Sequence, residues 1–483
     1  MLSKLLKSKN LIFILVNLLL IIFQIFLILF FYKEIHQEIP LWYTKNWGLE
    51  MLTNKSNILI IPVVSTLIAL ISYFLVRFSE KYYQYLFHEI IFYFSVILNL
   101  VLTFSLTQII KKTTFSNLFF LDYVGSELLN SFFIAFIITV GIAPYFISLY
   151  EKYGLITDPK KHQHPGMLLK NPSARGGGLI FAFAFSITAL ISSKLNATTI
   201  SIIVASIIAA IIGILDDLSN TSSSKKYKFF GNPVFRLLFL LPIPVMLLIY
   251  SGITIKTISN PFNNGVIDLS SITFNFMGNI ITPVVYLITF FWILWLINLL
   301  SWSNGVDGQY SGIITIAGIT ISFLALRFTP LTEIEINISK LAIITAGASL
   351  GLVPYTWNPS KIMWGFGATS AGIILAALSI IAATKISISV LVLLVPFMDG
   401  VITVIRRIIN KQNPLKGDRS HLHHLLLQRG WGVKQVAIFY WITTAILGVI
   451  GYFSSDKDLP LLILTLGGLV GFLIALLNFR FKA

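Results

Sequence analysis

The chain has 483 residues, of which 56% are hydrophobic and 11% charged, with a mean hydropathy of +0.86. Soluble domains carry about 25% charged residues, so a water-exposed surface is excluded, and repeated apolar runs of about 20 residues match a bilayer's thickness. The balance is basic, 35 Lys+Arg against 19 Asp+Glu, but the cations sit in short loops, as membrane orientation and anionic headgroups require, and nucleic acid is not implied.

In chain order, three apolar runs come first, at roughly 11–32, 57–76 and 87–110. The first follows Lys4, Lys7 and Lys9, is too long for a signal-peptide core and reads as a retained anchor. Gln24 stands out as its strongly polar residue, and Trp42, Tyr43 and Trp47 beyond it fit an interfacial belt. About eleven further runs follow, at roughly 129–150, 177–193, 197–215, 234–251, 280–300, 311–327, 340–354, 368–384, 387–405, 435–452 and 460–479. The expected fold is therefore an all-α polytopic membrane protein. There is no cysteine, so disulfides and thiolate metal sites are excluded.

Alternate loops differ in charge. One set holds Lys152, Lys160, Lys161, Lys170 and Arg175, then Lys225, Lys226, Lys228 and Arg236, then Lys361, and last Arg406, Arg407, Lys411, Lys416, Arg419 and Arg429. The other set holds little beyond Lys194, Lys256, Lys385 and Lys457, with Lys111 and Lys112 as its exception. The rich loops are expected on the cytoplasmic side. The polar constellations share that side, whereas a transporter would more often place ionisable residues near the bilayer midplane.

The first constellation runs from Asp158-Pro-Lys160-Lys161-His162-Gln-His164-Pro165 to Arg175-Gly176-Gly177-Gly178, whose glycines precede a span and permit close helix packing. Next, Gly213-Ile-Leu-Asp216-Asp217 ends a span with two mutually repelling carboxylates, which need a cation or a positive loop. Lys228 follows within one loop. Asn298-Leu-Leu-Ser301-Trp-Ser-Asn304-Gly305-Val-Asp307-Gly308 then interrupts apolar sequence with oxygen donors and glycines, and also reads as an ordinary polar turn. Asp399 is expected about two turns inside the membrane edge, on one face with Arg406. Finally Gly417-Asp418-Arg419-Ser420-His421-Leu-His423-His424 gathers three of the seven histidines, able to meet a diphosphate, bind a metal or shuttle protons.

Together these segments resemble the polyprenyl-phosphate N-acetylhexosamine-1-phosphate transferases, the WecA/TagO/MraY-like enzymes of glycosyltransferase family 4, over about residues 130–480. "GILDD" matches the family's paired-Asp motif, "NGVDG" is similar to its Asp-Gly-x-Asp-Gly, and the stretch from Pro396 through the histidine loop looks like the WecA/TagO branch. The resemblance implies two regions, an extension over 1–125 with about three spans and a transferase core over 126–483 with about eleven. It also implies transfer of a sugar-1-phosphate, GlcNAc-1-phosphate by branch, from a UDP-N-acetylhexosamine to undecaprenyl phosphate. Such an enzyme works at a bacterial plasma membrane, with magnesium, or manganese in its place, and homodimers occur among its kin.

By the same resemblance Asp216, Asp217 and Asp307 would be catalytic and hold the metal, with Asp216 the base. His421, His423, His424, Arg419, Asn298, Asn304, Lys228 and Asp399 would bind substrate. Three departures are plain: Asn304 stands for the motif's first carboxylate, Ser301 for an Asn, and Phe366 for a metal-binding Asp. A family-derived scaffold without activity, or a lipid or solute transporter, are the alternative functions.

Overall fold

The computed structural model describes residues 9–32, 35–41, 52–79, 85–114, 119–160, 171–221, 225–260, 265–276, 279–327, 332–382, 385–413, 419–455 and 457–479. Trp42, Tyr43 and Trp47 lie outside them. The chain forms two compact units, Met1–Ser126 and Glu127–Ala483.

The first unit contains α1 (Lys9–Phe31), the antiparallel strands β1 (Glu38–Pro40) and β2 (Leu52–Asn54), α2 (Ile60–Ser79) and α3 (Tyr85–Thr114). Ile28, Ile35, Ile39, Ile58, Leu106 and Ile109 form its buried apolar cluster. The helices are also stitched by amides. Gln24 Nε2 donates to Thr103 Oγ1 at 2.8 Å, and Asn99 Nδ2 donates to Asn17 Oδ1 at 2.7 Å and to the Ser65 carbonyl at 3.3 Å. Lipid offers no competing hydrogen bonds, so such links hold apolar helices in register. Asn17 lies two turns before Gln24 on the same face of α1 and is a second polar side chain within that apolar run.

α4 (Phe119–Lys152) comes next in the chain. The short strands β3 (Ile156–Thr157) and β4 (Ser173–Arg175) lead to α5 (Gly177–Ser192) and α6 (Ala197–Thr221). After a 3-10 helix, Lys225–Gly231, comes α7 (Pro233–Tyr250), which contains a π-helical segment, Arg236–Leu240. Two small hairpins follow, β5 (Thr257–Ser259) with β6 (Val266–Asp268) and β7 (Phe274–Phe276) with β8 (Asn279–Ile281). Then come α8 (Pro283–Trp302), α9 (Gln309–Ala325), α10 (Glu333–Thr356) and β9 (Ile362–Met363). The chain ends with α11 (Thr369–Ile381), α12 (Lys385–Val392), α13 (Leu394–Ile409), α14 (Leu422–Gln428), α15 (Val433–Phe453) and α16 (Leu459–Phe479).

Eight of the described helices are long and apolar enough to cross a membrane, and a bent pair makes a ninth. Five shorter apolar helices accompany them. The protein is thus an all-α, multi-pass membrane protein. The apolar runs read from sequence all fall on these helices, with one difference of shape. The run at 387–405 is not a straight span but α12 and α13, meeting at 86°. Pro396 causes the break. It has no N–H to give the Val392 carbonyl, and its ring would strike that carbonyl. The helix stops at Val392 and restarts at Leu394, which places Pro396 in a first turn where no N–H is needed. Asp399 therefore lies on a redirected helix rather than two turns down a continuous one.

α10 is the most enclosed of the long helices, with 78% of its spanning window buried. A capping box fixes its start: Ile334 N–H donates to Thr332 Oγ1, and Thr332 N–H donates to Glu335 Oε2 at 3.0 Å. The glycines before α5 pack as their position suggests. A Cβ on Gly178 would overlap the Gly367 backbone, and one on Gly213 of α6 would do the same. The Gly365–Ala368 turn thus lies backbone to backbone between α5 and α6.

Candidate active site

Asp216 and Asp217 end α6 and are buried. Asp217 Oδ1 accepts the Phe366 N–H at 3.2 Å and faces Arg175 Nη1 at 3.4 Å. Its Oδ2 is buried with no hydrogen-bond partner. Asp216 Oδ1 is paired with Arg236, and its Oδ2 accepts from Asn220 Nδ2 at 3.0 Å. Two carboxylates and two guanidiniums sum to zero formal charge. Without those partners a buried carboxylate would cost several kcal/mol.

Local structure delivers each group. Arg175 ends β4, which pairs antiparallel with β3 and parallel with β9 in the register Arg175↔Met363. The same register brings in the turn after β9, whose Gly365 (φ +64°) lies against the Asp217 carboxylate where a Cβ would overlap it. Arg236 comes from the first turns of α7, where Asn232 Oδ1 caps the helix by accepting the Val234 N–H at 2.9 Å. Its guanidinium carbon lies 4.1 Å from the Phe366 ring centroid, a cation–π contact. Phe366 is thus a shelf for a cation.

A second cluster lies on α13 and the loop into α14. Asp399 Oδ2 is 3.0 Å from His421 Nδ1, and Asp399 Oδ1 accepts the Leu422 N–H at 2.8 Å. Arg406 Nη1 donates to the Ser420 carbonyl at 3.2 Å. Asp399 and Arg406 therefore grip the same loop from one helix face, as their spacing suggests. The rings of His421 and His423 are stacked, with centroids 5.7 Å apart, and His424 lies 4.3 Å from His423. Burial, with His424 and His421 beside it, holds the His423 imidazole well below its ordinary pKa, so this ring is neutral.

The Ser303–Gly308 loop joins the two clusters. Asn304 Nδ2 donates to the Gly365 carbonyl at 3.4 Å, and Gly305 abuts the His423 ring so closely that no side chain fits. Asp307 faces elsewhere, accepting from Asn358 Nδ2 at 2.8 Å and from the Ser360 N–H at 3.2 Å. It borders a cavity of about 640 Å³ that is also lined by Asn171, Asn358, Trp431, Lys434 and Gln435. Asn298 turns back on its own helix, donating to the Leu294 carbonyl at 2.7 Å. Lys228 is exposed on the 3-10 helix after α6. Arg419 is exposed beside a different cavity, of about 680 Å³, with Arg406 and Asn478. Lys161, His162, His164, Lys170, Lys416, Gly417 and Asp418 lie outside the described residues.

The structure therefore unites Asp216 with Asp217, and Asp399 with the histidines, while the hydrogen bonds of Asp307 go to Asn358 and Ser360. Arg236 is the residue that sequence reasoning counted only as a loop charge. Its signal was there: an arginine inside an apolar run is a functional candidate whose partner should be sought.

Magnesium takes six oxygens in near-octahedral order. Among the described residues no three Asp, Glu or His side chains converge on one point. Within the Asp pair, three of four carboxylate oxygens are already engaged, leaving Asp217 Oδ2. The Phe366 side chain offers no ligand, and two guanidiniums already balance the charge of the carboxylates. This donor set does not fit the ion.

Residues 199–383 match Glycosyl transferase family 4. The chain is 26% identical over 332 residues to the probable undecaprenyl-phosphate N-acetylglucosaminyl 1-phosphate transferase of Bacillus subtilis (67% of this chain, 84% of that protein). It is 23% identical over 377 residues to the decaprenyl-phosphate N-acetylglucosaminephosphotransferase of Mycolicibacterium smegmatis (70% and 87%). With the phospho-N-acetylmuramoyl-pentapeptide-transferase of Clostridioides difficile it shares 25% over 333 residues (67% and 96%). These likenesses, on an all-α membrane fold, support glycosyl transferase family 4, the polyprenyl-phosphate hexosamine-phosphate transferases, as the family of this chain.

Proposed function

We propose that the protein transfers N-acetylhexosamine-1-phosphate from a UDP-sugar to undecaprenyl phosphate at the cytoplasmic face of a bacterial plasma membrane, to begin an envelope polysaccharide. The sugar proposed is N-acetylglucosamine, after the names of the Bacillus and Mycolicibacterium relatives. The observation that carries the reading is the buried Asp216–Asp217 pair, flanked by two guanidiniums, with Asp217 Oδ2 unspent.

The chemistry follows from charge and position. An oxygen of the lipid phosphate attacks the sugar-bearing phosphorus of the donor. The bond to the bridging oxygen of the other phosphate breaks, and UMP leaves. Two anions must meet, so cationic donors and fixed geometry supply most of the catalysis. Any proton on the attacking phosphate passes to Asp217 Oδ2, the one carboxylate oxygen of the pair with no donor on it. That assigns the base to Asp217 in place of Asp216. His421, with Nδ1 turned to Asp399, keeps Nε2 for the donor's diphosphate, and His423 and His424 extend that surface. The cavity beside Asp307 has the amides, carboxylate and indole face suited to a sugar ring. An apolar groove between α8 and α13, lined by Phe291, Trp292, Trp295 and Phe397, suits a prenyl chain.

The test is UMP release by the purified full-length protein in lipid, with several UDP-N-acetylhexosamines. UMP should appear only when undecaprenyl phosphate is present, and Asp217→Asn should abolish it. A folded protein that releases no UMP with any donor would sink the proposal and favour a scaffold without activity.

A further inference from the structure

We infer that Arg175 and Arg236 are the counter-charge of this carboxylate centre and the donors to the reacting phosphate, so that the centre works without a divalent cation. The phosphate substrate in this statement rests on the transferase reading above. The cation statement does not.

Four observations lead there. First, the charges already balance: Arg236 is paired with Asp216 and Arg175 with Asp217. A dication bridging the carboxylates would lie among two guanidiniums and would have to separate Arg236 from Asp216. Second, the guanidiniums are not fully used. Arg175 Nε and Arg236 Nε are both buried with no hydrogen-bond partner, as is Asp217 Oδ2. A buried N–H without an acceptor is costly, and an entering oxyanion would relieve it. Two forked donors beside one open carboxylate oxygen form a set that binds a phosphate and accepts its proton.

Third, Phe366 makes sense as part of this arrangement. A ring cannot ligate a metal, but its face supports a flat cation, and the Arg236 guanidinium lies on it at 4.1 Å. The Phe366 N–H meanwhile donates to Asp217, so one residue holds one member of each pair. Fourth, Arg236 is placed by the backbone. It follows the Asn232 cap and opens the π-helical segment of α7. Such insertions into a helix occur often at functional sites. A lysine could not replace it, lacking both the fork and the flat face.

The test uses full-length protein in nanodiscs and two readouts. The free Mn²⁺ signal in electron paramagnetic resonance is titrated against wild type and against the Asp216→Asn, Asp217→Asn double variant. The two should deplete the signal equally. Transfer is then measured with excess EDTA and should stay within about twofold of the rate with magnesium. Arg236→Lys and Arg236→Gln should each lower kcat/KM by about 100-fold, the scale of losing one fixed donor to a developing anion. Their thermal unfolding is measured to exclude misfolding.

Depletion of one Mn²⁺ per wild-type chain, lost in the double variant, would overturn the inference. So would an EDTA-inactivated transfer restored by magnesium, or a fully active Arg236→Lys. If no transfer occurs under any condition, the transferase reading fails, and the Mn²⁺ titration alone decides the cation statement.

Discussion

Asp217 Oδ2 and the glycine against it concentrate the chemistry into a few atoms. Asp217→Asn keeps the side chain's shape and removes the proton acceptor, so transfer should fall by about 10²–10⁴-fold, the usual worth of a positioned base. A radiolabel assay on the purified variant checks this. Gly365→Ala puts a methyl group into the Asp217 carboxylate on a backbone with φ +64°. It should lower activity while the helical content by circular dichroism stays unchanged, because only the turn must shift. The paired Asp and the histidine loop were legible in sequence, since acidic residues at a hydrocarbon edge and three clustered histidines are both costly and rare. Arg236 was not read as a site residue, because its position at the start of an apolar run also satisfied the cytoplasmic charge bias. Phe366 was legible as a departure. Its function as a shelf required knowing what stood over it.

At the scale of elements, the site depends on three devices: the β3–β4–β9 sheet, the glycine-packed turn between α5 and α6, and the redirected α13. Hydropathy found the long apolar helices among the described residues, because burial in lipid leaves a period-free apolar run. It could not see the 86° turn, which comes from one proline at a position where it must end one helix and can start another. Strands of two and three residues carry no periodicity to read, so the sheet that delivers Arg175 was invisible.

The α13–α14 loop carries a pH prediction. His423 is buried and neutral, with a folded pKa below its ordinary 6.5. The unfolded chain therefore binds the extra proton first as pH falls. Stability is full above about pH 6.5 and is lost below it, by up to about 1.4 kcal/mol per pH unit for this one group. The measurement is therefore the difference between wild type and His423→Asn, which isolates this one ring. Thermal unfolding from about pH 7.5 down to 5.5 should show a steeper decline in wild type, and parallel curves would remove the assignment.

Over the whole molecule, two units fold on different principles. The unit Met1–Ser126 ties three helices with buried amides, whereas Glu127–Ala483 builds a site from irregular loops. Loop charge predicts that the site faces the cytoplasm. The chain has no cysteine, so single cysteines report cleanly. Lys228→Cys should resist a membrane-impermeant maleimide in intact cells and react after lysis, whereas Lys457→Cys should react in both. The reverse pattern would invert the orientation.

In the proposed transfer a phosphorus atom moves together with the sugar. The most direct measurement supplies UDP-N-acetylglucosamine labelled with ³²P at the sugar-bearing phosphorus to the full-length protein with undecaprenyl phosphate. The label should enter the lipid extract as UMP appears unlabelled, and Asp217→Asn should stop both. Label retained on UDP, with sugar alone in the lipid, would rule out phosphosugar transfer.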